Sequence, residues 1–255
     1  MRVSIVAAVL AALVGVGGFA NRSVAENEDS VRIASASPVH AQKPKFTFIL
    51  FWKENSAATQ GLAESVKSAV ASRSQRAQWT SVNVGDDANR DVVQRYQVSG
   101  GPMPVVLCVA PNGAITGAIT RELTDEAVER VLVTPAMADA TKALQEKKIV
   151  IVHVKHDAQA PLPVGVAELM ADPAFKERIA TVSVVFGDPA ESRFVSDLKI
   201  KSADVVDSMV VVLGPRGVLV GKFPASATKD ELAAALNAPG KCCNNPNCKK
   251  KQQGQ

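Results

Sequence analysis

A set of landmarks recurs along this chain at a nearly constant distance. Gly85-Asp86 returns as Gly187-Asp188, Pro111-x-Gly113 as Pro215-x-Gly217, and Thr124 as Thr228, at offsets of 102, 104 and 104 residues. One short insertion accounts for the drift. The apolar runs KIVIVHVKHD (148–157), ATVSVVFGDP (180–189) and DSMVVVLGPRGVLVGKF (207–223) fall where the repeat requires them. Solenoid repeats run ~20–50 residues, so a period this long means two domains in tandem. Their expected limits are 44–138 and 145–238. Domains of this size can bury an adequate core without disulfide or metal staples.

Within the first copy the patterns alternate between strand and helix. FTFILFW (46–52) is an apolar, β-rich run, and SAATQGLAESVKSAVASR (56–73) places Leu62, Val66 and Val70 at helical spacing. WTSVNVGDD (79–87) alternates as a strand does, and DANRDVVQRYQV (87–98) has a short helical pattern. VVLCVAPNGAITGAI (105–119) reads as a hairpin closed by Pro-Asn-Gly. TDEAVERVLV (124–133) reads as a closing helix with Thr124 as its cap. The predicted fold class is α/β: two modules, each a mixed sheet flanked by helices.

Two stretches of the first copy carry a family resemblance. FWKENSAATQ (51–60) lies at a strand-to-helix turn, and GGPMPVVLCVAPNG (100–113) leads into the hairpin. Both resemble the thioredoxin-like superfamily, and the first overlays its FWAEWCGPCK pattern with Ser56 and Thr59 in place of the two cysteines. The resemblance implies a cis Met103–Pro104 bond facing that helix. It also implies a peptide-holding groove formed by Ser56, Thr59, Met103 and Pro104; Pro102 reads as a rigid turn residue. The second copy is further from the pattern. Its turn, KHDAQAPLPVG, has no cysteine, and Ser208 stands where Pro104 does. The chain thus resembles tandem redox-inactive thioredoxin-like domains.

The missing thiols decide the chemistry. Disulfide exchange needs a thiolate to attack sulfur and a second thiol to resolve the mixed disulfide. A hydroxyl forms no such intermediate. Ser56 reads as the cap of the following helix, with contact to a ligand as its alternative. None of the three histidines stands in a triad setting, so no catalytic residue is assigned. His153 and His156 read as ordinary residues at a strand end, their spacing wrong for a shared metal. Cys108, between Leu107 and Val109, reads as a buried, inert thiol.

The other three cysteines, Cys242, Cys243 and Cys248, sit in the Cys/Lys-rich tail GKCCNNPNCKKKQQGQ (240–255), part of the segment 239–255. With nothing apolar to bury, this tail has no core of its own and reads as disordered. Its thiols leave three alternatives open: a disulfide or disulfide-linked dimer, a soft metal such as Cu(I) or Zn(II), or no specific role. At the other end, Arg2 precedes an apolar run from Val3 to Ala20, and Ser23-Val24-Ala25 offers a cleavage site. Residues 1–25 therefore read as a signal peptide and 26–43 as a flexible linker. The export is periplasmic or extracellular; an uncleaved membrane anchor is the alternative.

The formal net charge of +4 is a terminal effect. Removing Arg2 and Arg22, then the four tail lysines, leaves 4 − 2 − 4 = −2 for the remainder. No basic face with interleaved aromatics appears, which argues against nucleic acid. The favoured function is an exported, non-catalytic binding or scaffold module for polypeptides, without a cofactor. The alternatives are thiol–disulfide redox through the tail cysteines, and Cu/Zn binding by the same tail.

Overall fold

A computed structural model describes residues 44–238, which divide into two compact units between Val133 and Thr134. In the first unit, β1 (Phe46–Trp52), α1 (Ala57–Ala71), β2 (Ala77–Asn83) and α2 (Arg90–Tyr96) are followed by β3 (Val105–Val109), β4 (Ile115–Ile119) and α3 (Asp125–Val131). The sheet order is β2-β1-β3-β4, with β1 parallel to β2 and antiparallel to β3, and β3 antiparallel to β4. Side chains alternate across a strand, so each inner strand feeds two cores. Phe48, Leu50, Val106 and Cys108 pack with Leu62 and Val66 of α1 and Val128 of α3. Ile49, Phe51 and Leu107 pack on the opposite face with Val93 of α2 and Val98.

The second unit repeats this plan behind an extra helix. Its elements are α4 (Pro135–Gln145), β5 (Ile149–Lys155), α5 (Val164–Ala171), β6 (Ile179–Val185), α6 (Ser192–Asp197), β7 (Ser208–Gly214), β8 (Val218–Pro224) and α7 (Lys229–Asn237). The order β6-β5-β7-β8 and the strand directions match the first sheet. Val150, Val152 and Val154 meet α4 and α6, while Ile149 and Ile151 meet Val166 and Leu169 of α5 and Leu232 of α7. α5 and α7 approach closely at Gly165, where an added Cβ would lie 2.1 Å from the Ala227 carbonyl oxygen.

The shared turns fall at equivalent places. Pro111 to Gly113 joins β3 to β4, with Gly113 at φ 84°, and Pro215 to Gly217 joins β7 to β8, with Gly217 at φ 70°. Thr124 caps α3 by accepting from the Ala127 N–H, and Thr228 forms a reciprocal capping box with Glu231 on α7.

Four local readings are corrected. β2 starts at Ala77 rather than 79, because parallel pairing with β1 begins at Phe46–Ala77. It stops at Asn83, whose side-chain oxygen accepts the Gly85 N–H and turns the chain. The helical pattern at 87–98 splits into a 3-10 turn, Asp87–Asn89, and α2, which closes on Gln97 at φ 46°. The expected boundary between 138 and 145 cuts through α4. That helix starts at Thr134, whose hydroxyl oxygen accepts the Met137 N–H, and its Ala136, Ala140 and Ala143 pack into the second unit. Finally, His153 is no strand-end residue: it lies inside β5 and is 1% exposed, with only His156 beyond the strand.

Candidate functional site

The end of β1 delivers the chain to an exposed turn, Lys53-Glu54-Asn55, before α1. Ser56 keeps extended backbone angles (φ −86°, ψ 167°), and its Oγ accepts the Thr59 N–H at 3.2 Å. That bond satisfies one of the unpaired N–H groups every helix start presents. The Thr59 hydroxyl turns back to donate to the Glu54 carbonyl at 2.8 Å and lies 3.2 Å from Ser56 Oγ. Thr59 is buried, whereas Ser56 is exposed. These two hydroxyls close the turn on itself.

Met103 and Pro104 face this turn from the start of β3. The bond between them is cis, and both side chains are half-buried, Met103 resting against the core that holds Ile49 and Phe51. Together with Lys53 and Glu54, the four residues Ser56, Thr59, Met103 and Pro104 line one depression of about 200 Å³. The structure therefore gathers all four expected groove residues. Lys53 and Glu54, which set opposite charges at the rim, were not singled out from the sequence; their only signal was adjacency to Ser56.

Among the described residues no thiol opens into this depression. Cys108, the one cysteine among the described residues, is fully buried on β3. Its Sγ lies 3.8 Å from the Val131 carbonyl oxygen, and burial pushes its pKa up to about 12. A thiol so placed is neutral and shielded at physiological pH. Cys242, Cys243 and Cys248, and with them the disulfide and metal readings, lie outside the described residues. Among the described residues no group of three or more His, Cys, Asp or Glu is arranged to hold a metal ion.

The corresponding turn of the second unit is built differently. α5 begins after Pro163, which gives no side-chain cap. The loop is held from below by Lys155, whose Nζ donates to the Ala160 carbonyl at 3.2 Å, and laterally by His156, whose N–H meets the Asp207 carbonyl. His156 Nε2 also lies 3.1 Å from the Val205 carbonyl. Ser208 pairs with Lys155 at the start of β7. The only cis bond among the described residues is Met103–Pro104.

Both units have the thioredoxin-like fold. The assignment rests on the strand order, the single parallel pairing, the strand-to-helix turn and, in the first unit, the cis proline facing that turn. Solved structures similar to this chain include Trxlp from Edwardsiella tarda, at 18% identity over 39% of this chain and 91% of that one, with a TM-score of 0.31. The NTD_N/C domain of the alkylhydroperoxide reductase AhpF from Enterococcus faecalis is 14% identical over 75% of this chain and 90% of its own, with a TM-score of 0.30. Human ERp44 in its zinc-bound form is 13% identical over 76% of this chain and 55% of its own, with a TM-score of 0.33. No protein-family model and no curated protein matches the sequence. These likenesses carry nothing about chemistry.

Proposed function

We propose that this tandem thioredoxin-like protein is an exported, non-catalytic binding module for polypeptides, with the depression of the first unit as its contact surface. The observation that carries the reading is the pairing of a hydroxyl-closed turn with a free apolar wall. Ser56 and Thr59 spend their hydrogen bonds on the turn and the helix start, while Met103 and Pro104 stay half-exposed across about 200 Å³ of open space. A depression this shallow suits a segment of extended chain better than an enclosed small molecule, for which pockets run ~300–1,000 Å³. Electron transfer through sulfur has no support at this site, since the only described thiol is sealed in the core.

The test is binding of fluorescein-labelled, reduced and carboxymethylated α-lactalbumin by the full chain, followed by anisotropy. Met103→Ala and Lys53→Glu should each weaken binding at least three-fold with the circular dichroism spectrum retained. Unchanged affinity in both variants sinks the assignment of the surface. In a parallel insulin-reduction assay the protein should not exceed the dithiothreitol background. Catalysis that disappears on Cys242→Ser, Cys243→Ser and Cys248→Ser together would replace this reading with redox chemistry by the tail.

A further inference from the structure

We propose that the second unit carries an acid switch in its core, in which His153, uncharged between the sheet and the α5–α7 layer, takes up a proton as that unit opens. The alternation of β5 puts His153 on the same face as Ile149 and Ile151, which pack with Val166, Leu169 and Leu232. The ring sits mid-strand, in register with Ser183 of β6 and Val210 of β7, and is 1% exposed. Its Nε2 is buried and has no hydrogen-bond partner among the described residues.

The repeat supplies an internal comparison. Leu50 occupies the corresponding place in β1, in register with Ser81 and Val106, and is likewise 1% exposed. The two settings therefore share their strand neighbours, Ser81 with Ser183 and Val106 with Val210, and differ in the side chain between them. One unit fills the place with a group that never ionises. The other fills it with the side chain whose charge changes nearest neutral pH.

Every nearby influence favours the neutral ring. Burial removes the water that would solvate an imidazolium, and Lys155, two residues along the same face, adds a like charge; both lower the pKa of His153 from its usual 6.5. β6 and β7 carry no titratable residue. α5 offers Glu168, and α7 offers Lys229, Asp230 and Glu231. Glu168, Asp230 and Glu231 are exposed, and Lys229 is engaged with Asp172 at 2.6 Å. Among the described residues no carboxylate offsets the cost of charging the ring.

The sign follows from proton linkage. The folded pKa lies below the unfolded one, so the opened chain binds the proton more readily. Stability from this residue is complete above the unfolded value near 6.5 and falls as pH drops from there toward the folded pKa. Across that window the opening equilibrium constant rises by up to ~10-fold per pH unit.

The two units can be followed separately in the full chain, because Trp52, Trp79 and Tyr96 all lie in the first. Hydrogen exchange at pH 7.5, 6 and 5, corrected for intrinsic rates, should show β5, β6 and α7 opening more readily in acid. The effect should grow as pH falls below 6.5, with tryptophan fluorescence changing less. His153→Leu and His153→Gln should both remove this acid dependence, the second without restoring an apolar core; His156→Gln should keep it. Equal acid dependence in wild type and in both His153 variants overturns the proposal. In the unaltered protein, the His153 ring resonance should hold its neutral position down to pH 6, and titration of that ring in the folded unit at its usual value of 6.5 would equally overturn the proposal.

Discussion

Gly165→Ala tests the packing of the second unit more sharply than any core truncation. A Cβ at this position would stand 2.1 Å from the Ala227 carbonyl oxygen, 2.8 Å from the Thr228 carbonyl carbon and 2.9 Å from the Lys229 nitrogen. All three are backbone atoms, so no side-chain rotation relieves the clash. Restoring ordinary contact at ~3.4 Å requires α5 and the start of α7 to part by roughly 1.3 Å. That movement loosens Val166 and Leu169 against Leu232, which share one core. Overpacking costs ~1–3 kcal/mol, and a rigid obstacle places this case near the upper limit. At ~4–8 °C per kcal/mol for a domain of this size, the unit's melting point should fall by roughly 10–20 °C. Gly61→Ala is the matched control. Gly61 lies inside α1 with nothing within 4 Å of its would-be Cβ, so the same change should stabilise the first unit by about 0.5–1 kcal/mol. Thermal melts of the full chain by far-ultraviolet circular dichroism, with tryptophan fluorescence for the first unit, read both. A Gly165→Ala melt within two degrees of wild type would mean that α5 and α7 do not approach as described.

Three further outcomes follow from the first unit. Cys108, raised to about 12 by burial, should resist a water-soluble disulfide reagent in the native protein and react fully after denaturation; rapid native labelling, measured with Cys242, Cys243 and Cys248 changed to Ser, would contradict its burial. Thr59→Val removes the bond to the Glu54 carbonyl and should cost about 1 kcal/mol in urea unfolding, with polypeptide affinity unchanged if that hydroxyl serves only the turn. Ser56→Cys with Thr59→Cys should confer weak insulin reduction, because a thiol at the start of α1 gains the helix N-terminus that lowers its pKa; a fully inert double variant would show that the turn geometry, as well as the thiols, departs from a redox site.

What was legible in the sequence was mostly what is local. β1 reads correctly at both ends because an unbroken apolar run meets charged Lys53 on one side and Lys45 on the other. The caps at Ser56, Thr124 and Thr228 read correctly because a cap is decided within three residues. β2 and α4 are decided elsewhere. Ala77 joins β2 through its pairing with Phe46, and α4 joins the second unit through contacts of small alanines with the Val150 to Val154 face, which no periodicity near Thr134 announces. His153 reads as a strand-end residue for the same reason: strands covered on both faces hide a polar residue among valines, and only the packed layer of α5 and α7 reveals that it is sealed. The site needed the resemblance, since nothing in the local pattern says that Met103, 47 residues beyond Ser56, stands across from it.

The repeat divides its differences among three places, and each bears on a separate property. At the helix start, Ser56 caps α1 through its hydroxyl while Pro163 offers α5 no side-chain cap. At the entry to the third strand, the first unit has a cis Met103–Pro104 wall and the second has Ser208 beside a buried Lys155. In the central strand, Leu50 is answered by His153. The first two differences set the depression of about 200 Å³ against the Met103 wall of the first unit, where we propose that polypeptide binds. The third puts a buried histidine in the second unit where the first has leucine, which is where the proposed acid sensitivity resides. On these two proposals, mutations at the Met103 wall and at His153 should act on different observables: the first on polypeptide affinity at any pH, the second on opening in acid.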